Sequence, residues 1–163
     1  MSTIRTFAFG GRAGLALIAL FGIALPASAD DDRNAPGPPL LPKYQQECAS
    51  CHVAYPPGLL PAESWRRLMA GLPRHFGVDA SLDAPTLGAI SAWLAANAGT
   101  FKRVREAPPE DRITRSAWFV RKHDEVSATV WKRPTVKSPA NCTACHAQAD
   151  QGDFNEHRVR IPR

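Results

Sequence analysis

The sequence predicts a mainly α-helical fold divided into two modules, and three observations carry this prediction. Apolar residues recur at helical spacing in PAESWRRLMAGL, where they form one stripe: Trp65, Leu68, Met69 and Leu72. The segment LDAPTLGAISAWLAANAG has the start and stop signals of a longer helix. A charged, proline-containing stretch follows at residues 101–115, and such a stretch is typical of a linker between modules.

The N-terminus predicts an export signal. Arg5 and Arg12 precede or flank the start of an apolar run of eleven residues, LALIALFGIAL, and PASAD follows, so we expect residues 1–29 to be a signal peptide cleaved after Ala29. This run is shorter than the roughly 20 apolar residues that a membrane span needs, which makes a retained anchor the weaker alternative. We therefore expect an exported protein without stable membrane insertion, located in the periplasm of a bacterium.

The mature chain begins with an acidic, proline-rich stretch, residues 30–43, which predicts a flexible lead-in. The N-terminal module is assigned to residues 44–100. In its longest helix, Asp83 lies near the N-cap, Pro85 suits the first turn and Gly99 would stop the helix. This helix is the clearest secondary-structure prediction in the chain.

The C-terminal module is assigned to residues 116–163 and is shorter and less regular. SAWFVRKHDEVSATVW can be helical from a Ser116 cap, whereas KRPTVKSPA predicts a loop. The final QGDFNEHRVRIPR shows no helical period.

The net charge gives little support for nucleic-acid binding. The formal charge is +5, and it falls to +3 in the mature chain because cleavage removes two arginines and no acidic residue. The basic residues are mixed with acidic ones, as in FKRVREAPPEDRITRS, and form no dense basic run. No nucleic-acid partner is expected.

The cysteines carry the most specific pattern. All four belong to two C-x-x-C pairs, each followed at once by a histidine: Cys48, Cys51 and His52 in ECASCH, and Cys142, Cys145 and His146 in NCTACH. Two such motifs behind an export signal predict two covalently attached haem c groups, with the thiols bound to the haem and the histidine as proximal iron ligand. A zinc site and a pair of disulfides are the less favoured alternatives. The final QGDFNEHRVRIPR would either lie extended over the haem or trail into solvent.

The surroundings of the first motif suggest how it is held. A short helix over residues 44–51 would deliver the motif, and the proline-rich VAYPPGLLP follows it. We expect a backbone carbonyl in that turn, such as that of Pro56 or Pro57, to accept a hydrogen bond from the second ring nitrogen of His52. Such a bond would orient the ring and strengthen it as an iron ligand.

Two irons can each take a second axial ligand, and four side chains remain as candidates: His75, His123, His157 and Met69. His75 lies in a connecting stretch between two helices and is preferred for the first haem. His123 follows Phe119 by four residues, so both can share a helical face, and it is preferred for the second haem, with His157 as its competitor. Met69 is expected to pack in the core. Crossed ligation between the modules remains open.

Four segments together resemble the periplasmic dihaem cytochrome c family of photosynthetic and other proteobacteria: YQQECASCHVAYPPGLLPAESW, HFGVDASLD, RSAWFVRKHDEV and NCTACHAQADQGDF. The resemblance implies an N-terminal module similar to class I cytochrome c, a smaller irregular haem-binding C-terminal module, and bis-histidine coordination of both irons. It also implies electron transfer with a small oxygen-binding haem protein and a membrane cytochrome b. His75 and His123 lie within the matching segments.

These observations predict an electron carrier rather than an enzyme, with no catalytic residues. Histidine in place of an axial methionine predicts low reduction potentials, because a thioether ligand raises the potential of ordinary cytochromes c. One alternative is a small dihaem electron-transfer subunit of a periplasmic reductase. Another is a haem enzyme or sensor, similar to a peroxidase, in which one distal ligand can be displaced.

Overall fold

The computed structural model of the protein describes residues 38–163. The predicted signal peptide, its cleavage after Ala29 and most of the predicted lead-in lie outside the described residues. Within them the chain forms five α-helices: α1 Pro42–Cys48, α2 Ala62–Ala70, α3 Ala84–Ala96, α4 Ala117–Lys122 and α5 Ala128–Trp131. Short 3₁₀ turns join them, and the described part of the chain contains no β-strand. The mainly α-helical prediction is confirmed. No helix in this part is long and apolar enough to cross a membrane.

Helix α1 differs from its prediction at both ends. It begins at Pro42, so the last two residues of the predicted lead-in are helical, because proline suits the first turn of a helix. It ends at Cys48 instead of residue 51, and the amide of Ala49 closes it by donating to the carbonyl of Gln45 at 2.9 Å. The first C-x-x-C-H motif therefore starts on the helix and turns away from it.

The core of the structure lies between α1, α2 and α3, where apolar side chains from all three helices and the intervening turns are buried: Tyr44, Ala54, Leu60, Trp65, Met69, Leu72, Ile90 and Leu94. The indole N–H of Trp65 is satisfied inside this core, since it donates to the carbonyl of Pro57 at 2.7 Å. Met69 is 7% exposed, which confirms the expectation that it packs in the core.

The start of α3 agrees with its prediction, and its end does not. The Asp83 carboxylate accepts a hydrogen bond from the amide of Thr86 at 3.0 Å and caps the helix. The helix ends at Ala96 with Asn97 as its C-cap, three residues before the expected stop at Gly99. Gly99 instead lies against the backbone of Gly58, where a Cβ atom would overlap the Gly58 carbonyl oxygen. This glycine is needed for close packing rather than for helix termination.

The predicted helix in the C-terminal region is two helices. Ser116 caps α4, as predicted, by accepting from the amide of Phe119 at 3.2 Å. The helix ends at Lys122, and the φ of −124° at its C-cap, His123, is not helical. The amide and the ring Nδ1 of His123 both approach the carbonyl of Phe119. A tight turn, in which the amide of Val126 donates to the carbonyl of His123 at 3.0 Å, then leads to α5.

The final segment lies against the second C-x-x-C-H motif. The amide of Arg160 donates to the carbonyl of Cys145 at 3.0 Å, and Arg133 donates to the carbonyl of Pro162 at 2.6 Å. The segment therefore does not trail into solvent, although it is not extended throughout, because Glu156–Arg158 forms a 3₁₀ turn.

Candidate functional site

The first predicted attachment site lies where α1 ends. Cys48 is the last residue of the helix, Cys51 is exposed in the following turn, and the amide of His52 donates to the carbonyl of Cys48 at 3.5 Å. The Nδ1 atom of His52 lies 2.7 Å from the carbonyl oxygen of Val53. A carbonyl only accepts, so this contact places the ring proton on Nδ1 and leaves Nε2 with a free lone pair.

The expected orientation of His52 by a backbone carbonyl is thus present, but the acceptor is neither of the two proline carbonyls named above. Val53 is the next residue in the chain, so its carbonyl is the first one the ring can reach. The carbonyl of Pro57 is already occupied by the indole of Trp65. The carbonyl of Pro57, which was expected to accept from His52, therefore accepts from Trp65 in the core instead.

His75 lies opposite His52. Their ring centroids are 6.1 Å apart, with an angle of 30° between the ring planes. A short turn holds His75 there: the amide of Val78 donates to the carbonyl of His75 at 3.1 Å, and that of Ala80 donates to the carbonyl of Leu72 at 2.9 Å. The turn passes through Gly77, whose φ of +96° favours glycine.

The two rings also affect each other electrostatically. Burial lowers the pKa of His75 below its usual value, and the nearby His52 and Arg112 lower it further. Arg112 lies beside this turn, with its guanidinium carbon 4.0 Å from the ring centroid of Phe76. His75 is therefore neutral at neutral pH, the state in which an imidazole can bind a metal.

The second predicted attachment site lies in a 3₁₀ turn, Cys142–Ala144, rather than at the end of an α-helix. The amide of His146 donates to the carbonyl of Cys142 at 2.8 Å, which folds the motif into one compact turn. Asn141 anchors its start by donating to the carbonyl of Val136 at 3.0 Å. Within the described chain, the buried Nδ1 of His146 has no hydrogen-bond partner.

His123 lies opposite His146. Their ring centroids are 6.2 Å apart and the ring planes are at 71°. The ring of His123 packs 4.0 Å from that of Phe119, which agrees with the expected shared helical face. Its Nδ1 lies 2.9 Å from the carbonyl of Phe119, so this ring, like that of His52, keeps Nε2 free. Burial and the neighbouring His123 lower the pKa of His146, and Asp153 opposes this shift.

Both pairs of histidines suit a single metal ion between them. Two imidazoles that bind one metal from opposite sides through bonds of about 2 Å have ring centroids about 6 Å apart. The observed separations, 6.1 Å and 6.2 Å, match this value. The structure thus brings the four predicted iron ligands together as two pairs, His52 with His75 and His123 with His146.

The four cysteines are not paired with one another. All of them lie in the described residues and none is in a disulfide. As free thiols, Cys48 and Cys142 have a pKa raised to about 11 by burial.

The remaining candidate ligand, His157, lies on the exposed 3₁₀ turn Glu156–Arg158. It lines an open cleft of about 250 Å³ together with His146. His157 is thus near the second site, whereas the buried Met69 belongs to the core between the helices.

One residue at these sites was not singled out from the sequence. The ring of Tyr55 lies 4.8 Å from that of His52 at an angle of 19°, and its hydroxyl donates to the carbonyl of Ala140 at 2.9 Å. Burial raises the pKa of Tyr55 to about 12, with a further contribution from the nearby Cys142. In the sequence Tyr55 is only part of VAYPPGLLP, and no local signal relates it to a residue 85 positions away.

Comparisons with known proteins identify the family of this chain. The family model described as "Dihaem cytochrome c" matches residues 44–154. A dihaem cytochrome c structure from Shewanella baltica OS155 is 40% identical with a TM-score of 0.66, covering 74% of this chain and 92% of its own. Among curated proteins, none matches.

Two structures from Rhodobacter sphaeroides extend the comparison. A crystal structure of DHC is 46% identical with a TM-score of 0.61, covering 70% of this chain and 96% of its own. A dihaem cytochrome c is 43% identical with a TM-score of 0.65, covering 74% of this chain and 100% of its own. With both C-x-x-C-H motifs present, this protein carries two covalently attached haem c groups. The chain belongs to the dihaem cytochrome c family.

Proposed function

We propose that this protein relays single electrons between redox partners through two six-coordinate, low-potential haems. As a dihaem cytochrome c it is an electron-transfer protein. The proposal adds the ligands: His52 and His75 for the first iron, and His146 and His123 for the second. The observation that carries it is the pair of centroid separations, 6.1 Å and 6.2 Å.

When bound, haem c supplies an iron that alternates between two oxidation states and so takes up and releases one electron. The chain's own residues hold this group and set its surroundings. The backbone carbonyls of Val53 and Phe119 orient His52 and His123 and make them stronger electron donors. Two imidazole ligands on each iron would favour the oxidised state, so both potentials would be low. No acid–base group is required.

We further propose the module bounds, the location and the partners of the protein from its sequence and its family resemblance. We assign residues 44–100 and 116–163 to the two haem modules and residues 101–115 to the linker. The protein would act in the periplasm after cleavage at Ala29, and the intact mass of the exported protein would test this cleavage. The family resemblance suggests a small oxygen-binding haem protein and a membrane cytochrome b as partners.

The ligands are tested by low-temperature EPR on the oxidised holoprotein and its histidine variants. We expect two low-spin bis-histidine signals in the wild type. His75→Ala and His123→Ala should each convert one of them to high spin, because each removes one axial nitrogen. His157→Ala, a matched control on an exposed turn, should leave both signals unchanged.

Other outcomes would contradict specific parts of the proposal. Loss of a low-spin signal in His157→Ala would assign the second iron to His157 instead of His123. A methionine charge-transfer band in the near-infrared would assign one iron to Met69. A high-spin fraction in the wild type that responds to peroxide or carbon monoxide would favour a ligand-binding enzyme or sensor.

A further inference from the structure

Tyr55 contacts both sites with a single side chain. Its ring lies almost parallel to that of His52, with the centroids 4.8 Å apart. Its hydroxyl donates to the carbonyl of Ala140 at 2.9 Å, two residues before Cys142. The side chain therefore spans the space between the proximal histidine of the first site and the start of the second motif.

The position of Tyr55 is itself well determined. Its backbone carbonyl accepts a hydrogen bond from the hydroxyl of Tyr44 at 3.0 Å. Tyr44 is 3% exposed and packs against Trp93 in the core of the N-terminal module. The backbone of Tyr55 is thus bonded to the core of the N-terminal module through Tyr44, and its hydroxyl reaches Ala140 in the C-terminal module.

The acceptor of this hydroxyl is close to the second attachment cysteine. Cys142 Sγ lies 3.7 Å from the same carbonyl oxygen of Ala140. Between the ring of His52 and this sulfur there are consequently only one aromatic side chain and one peptide carbonyl. The hydrogen bond between Tyr55 and Ala140 therefore lies between the two predicted redox sites.

We propose that Tyr55 is a positioning residue that couples the two haem sites. Its ring packs against His52, its hydroxyl holds the backbone before Cys142, and the side chain provides a packed route for electrons between the sites. One electron leaves the iron of one site, which is oxidised, and reduces the iron of the other. Tyr55 keeps its proton and is neither oxidised nor reduced. This inference rests on the proposed relay function.

The test compares variants of the holoprotein after rapid reduction of one haem by pulse radiolysis. Tyr55→Phe removes the hydroxyl and keeps the ring, while Tyr55→Leu removes both. We expect the rate of electron transfer between the haems to fall several-fold in Tyr55→Phe and further in Tyr55→Leu. Tyr55→Leu should also shift the EPR g-values of the first haem, because the ring of His52 keeps its hydrogen bond to Val53 but loses the ring packed against it.

Phe101→Leu is the control, since it replaces an aromatic ring with leucine at an exposed position outside both C-x-x-C-H motifs. It should leave the transfer rate unchanged. A wild-type rate in both Tyr55 variants, or equal slowing in Phe101→Leu, would overturn the role of Tyr55. Absence of any transfer in the wild type would instead contradict the relay itself.

A measurement on the wild type does not depend on the variants acquiring both haems. In NMR spectra of the reduced holoprotein, the ring protons of Tyr55 should show cross-peaks to residues 139–142, because the hydroxyl contacts the carbonyl of Ala140. Absence of those cross-peaks would overturn the inference.

Discussion

The N-terminal and C-terminal halves of the described chain differ in how much of their stability the polypeptide can supply. In the N-terminal half, helices α1, α2 and α3 enclose a continuous apolar core in which Ile90 and Leu94 are fully buried. The C-terminal region buries only a few apolar residues between short helices and turns: Phe119, Val130, Val136 and Ala149.

This difference identifies what the haem contributes to each module. A region of fewer than 50 residues with so small a core cannot offset its own conformational entropy, so a bound metal cofactor must supply part of the buried surface. Around His123, the rings of Phe119 and Trp131 lie at 4.0 Å and 5.9 Å and form an aromatic wall. We infer that the second haem completes the core of its module, whereas the first haem adds to a core that already exists.

The largest expected effect is the loss of amide protection when one haem at a time is removed. Cys142→Ala/Cys145→Ala should abolish amide protection across residues 116–163 and leave α2 and α3 protected, because binding of the second haem is part of folding there. Hydrogen-exchange mass spectrometry measures this directly. Cys48→Ala/Cys51→Ala is the matched variant, and it should retain protection in α2 and α3. Equal losses in both variants would break the comparison between the modules.

A smaller effect is expected from cavities made at two fully buried positions. Leu94→Ala should lower the free energy of unfolding by about 2–5 kcal/mol, as is usual for large-to-small changes in a packed core. Val136→Ala should cost less, because fewer atoms are removed and fewer buried neighbours surround them. Denaturant unfolding of the holoproteins would compare them, and a larger effect at Val136 would contradict the proposed difference in packing.

The smallest expected effect concerns the two helix caps. Ser116→Ala should destabilise the C-terminal module by about 1 kcal/mol, since it leaves the amide of Phe119 without its acceptor. Asp83→Asn tests the corresponding cap of α3. The hydrogen bond from the amide of Thr86 holds the pKa of Asp83 below its usual value, and other contacts of the carboxylate lower it further.

The pH dependence separates these two caps. A lowered pKa means that the unfolded chain binds the proton more tightly, so the contribution of Asp83 is present near neutral pH and is lost as the pH falls through its folded pKa. The wild type and Asp83→Asn should therefore converge in melting temperature in acid, whereas Ser116→Ala should stay below the wild type at every pH. A constant difference for Asp83→Asn would contradict this account.

Local chemistry was readable from the sequence where it depends on residues a few positions apart. Both C-x-x-C-H motifs, the Asp83 cap and the Ser116 cap are of this kind. The errors arose where packing overrides a local signal. Gly99 has the character of a helix stop, but its place is determined by contact with Gly58. The turn at His123 divides a segment whose pattern allows one continuous helix.

The sequence by itself thus determined the cofactors and the class of fold. A covalent attachment motif and an amphipathic helix each depend on residues only a few positions apart, so both can be recognised without the tertiary structure. Only the tertiary structure decided which histidines meet. His75 approaches His52 and His123 approaches His146 because separate turns and helices pack together, and spacing along the chain does not reveal such packing. The contact of Tyr55 with Ala140 is the extreme case, since it joins residues 85 positions apart through packing alone.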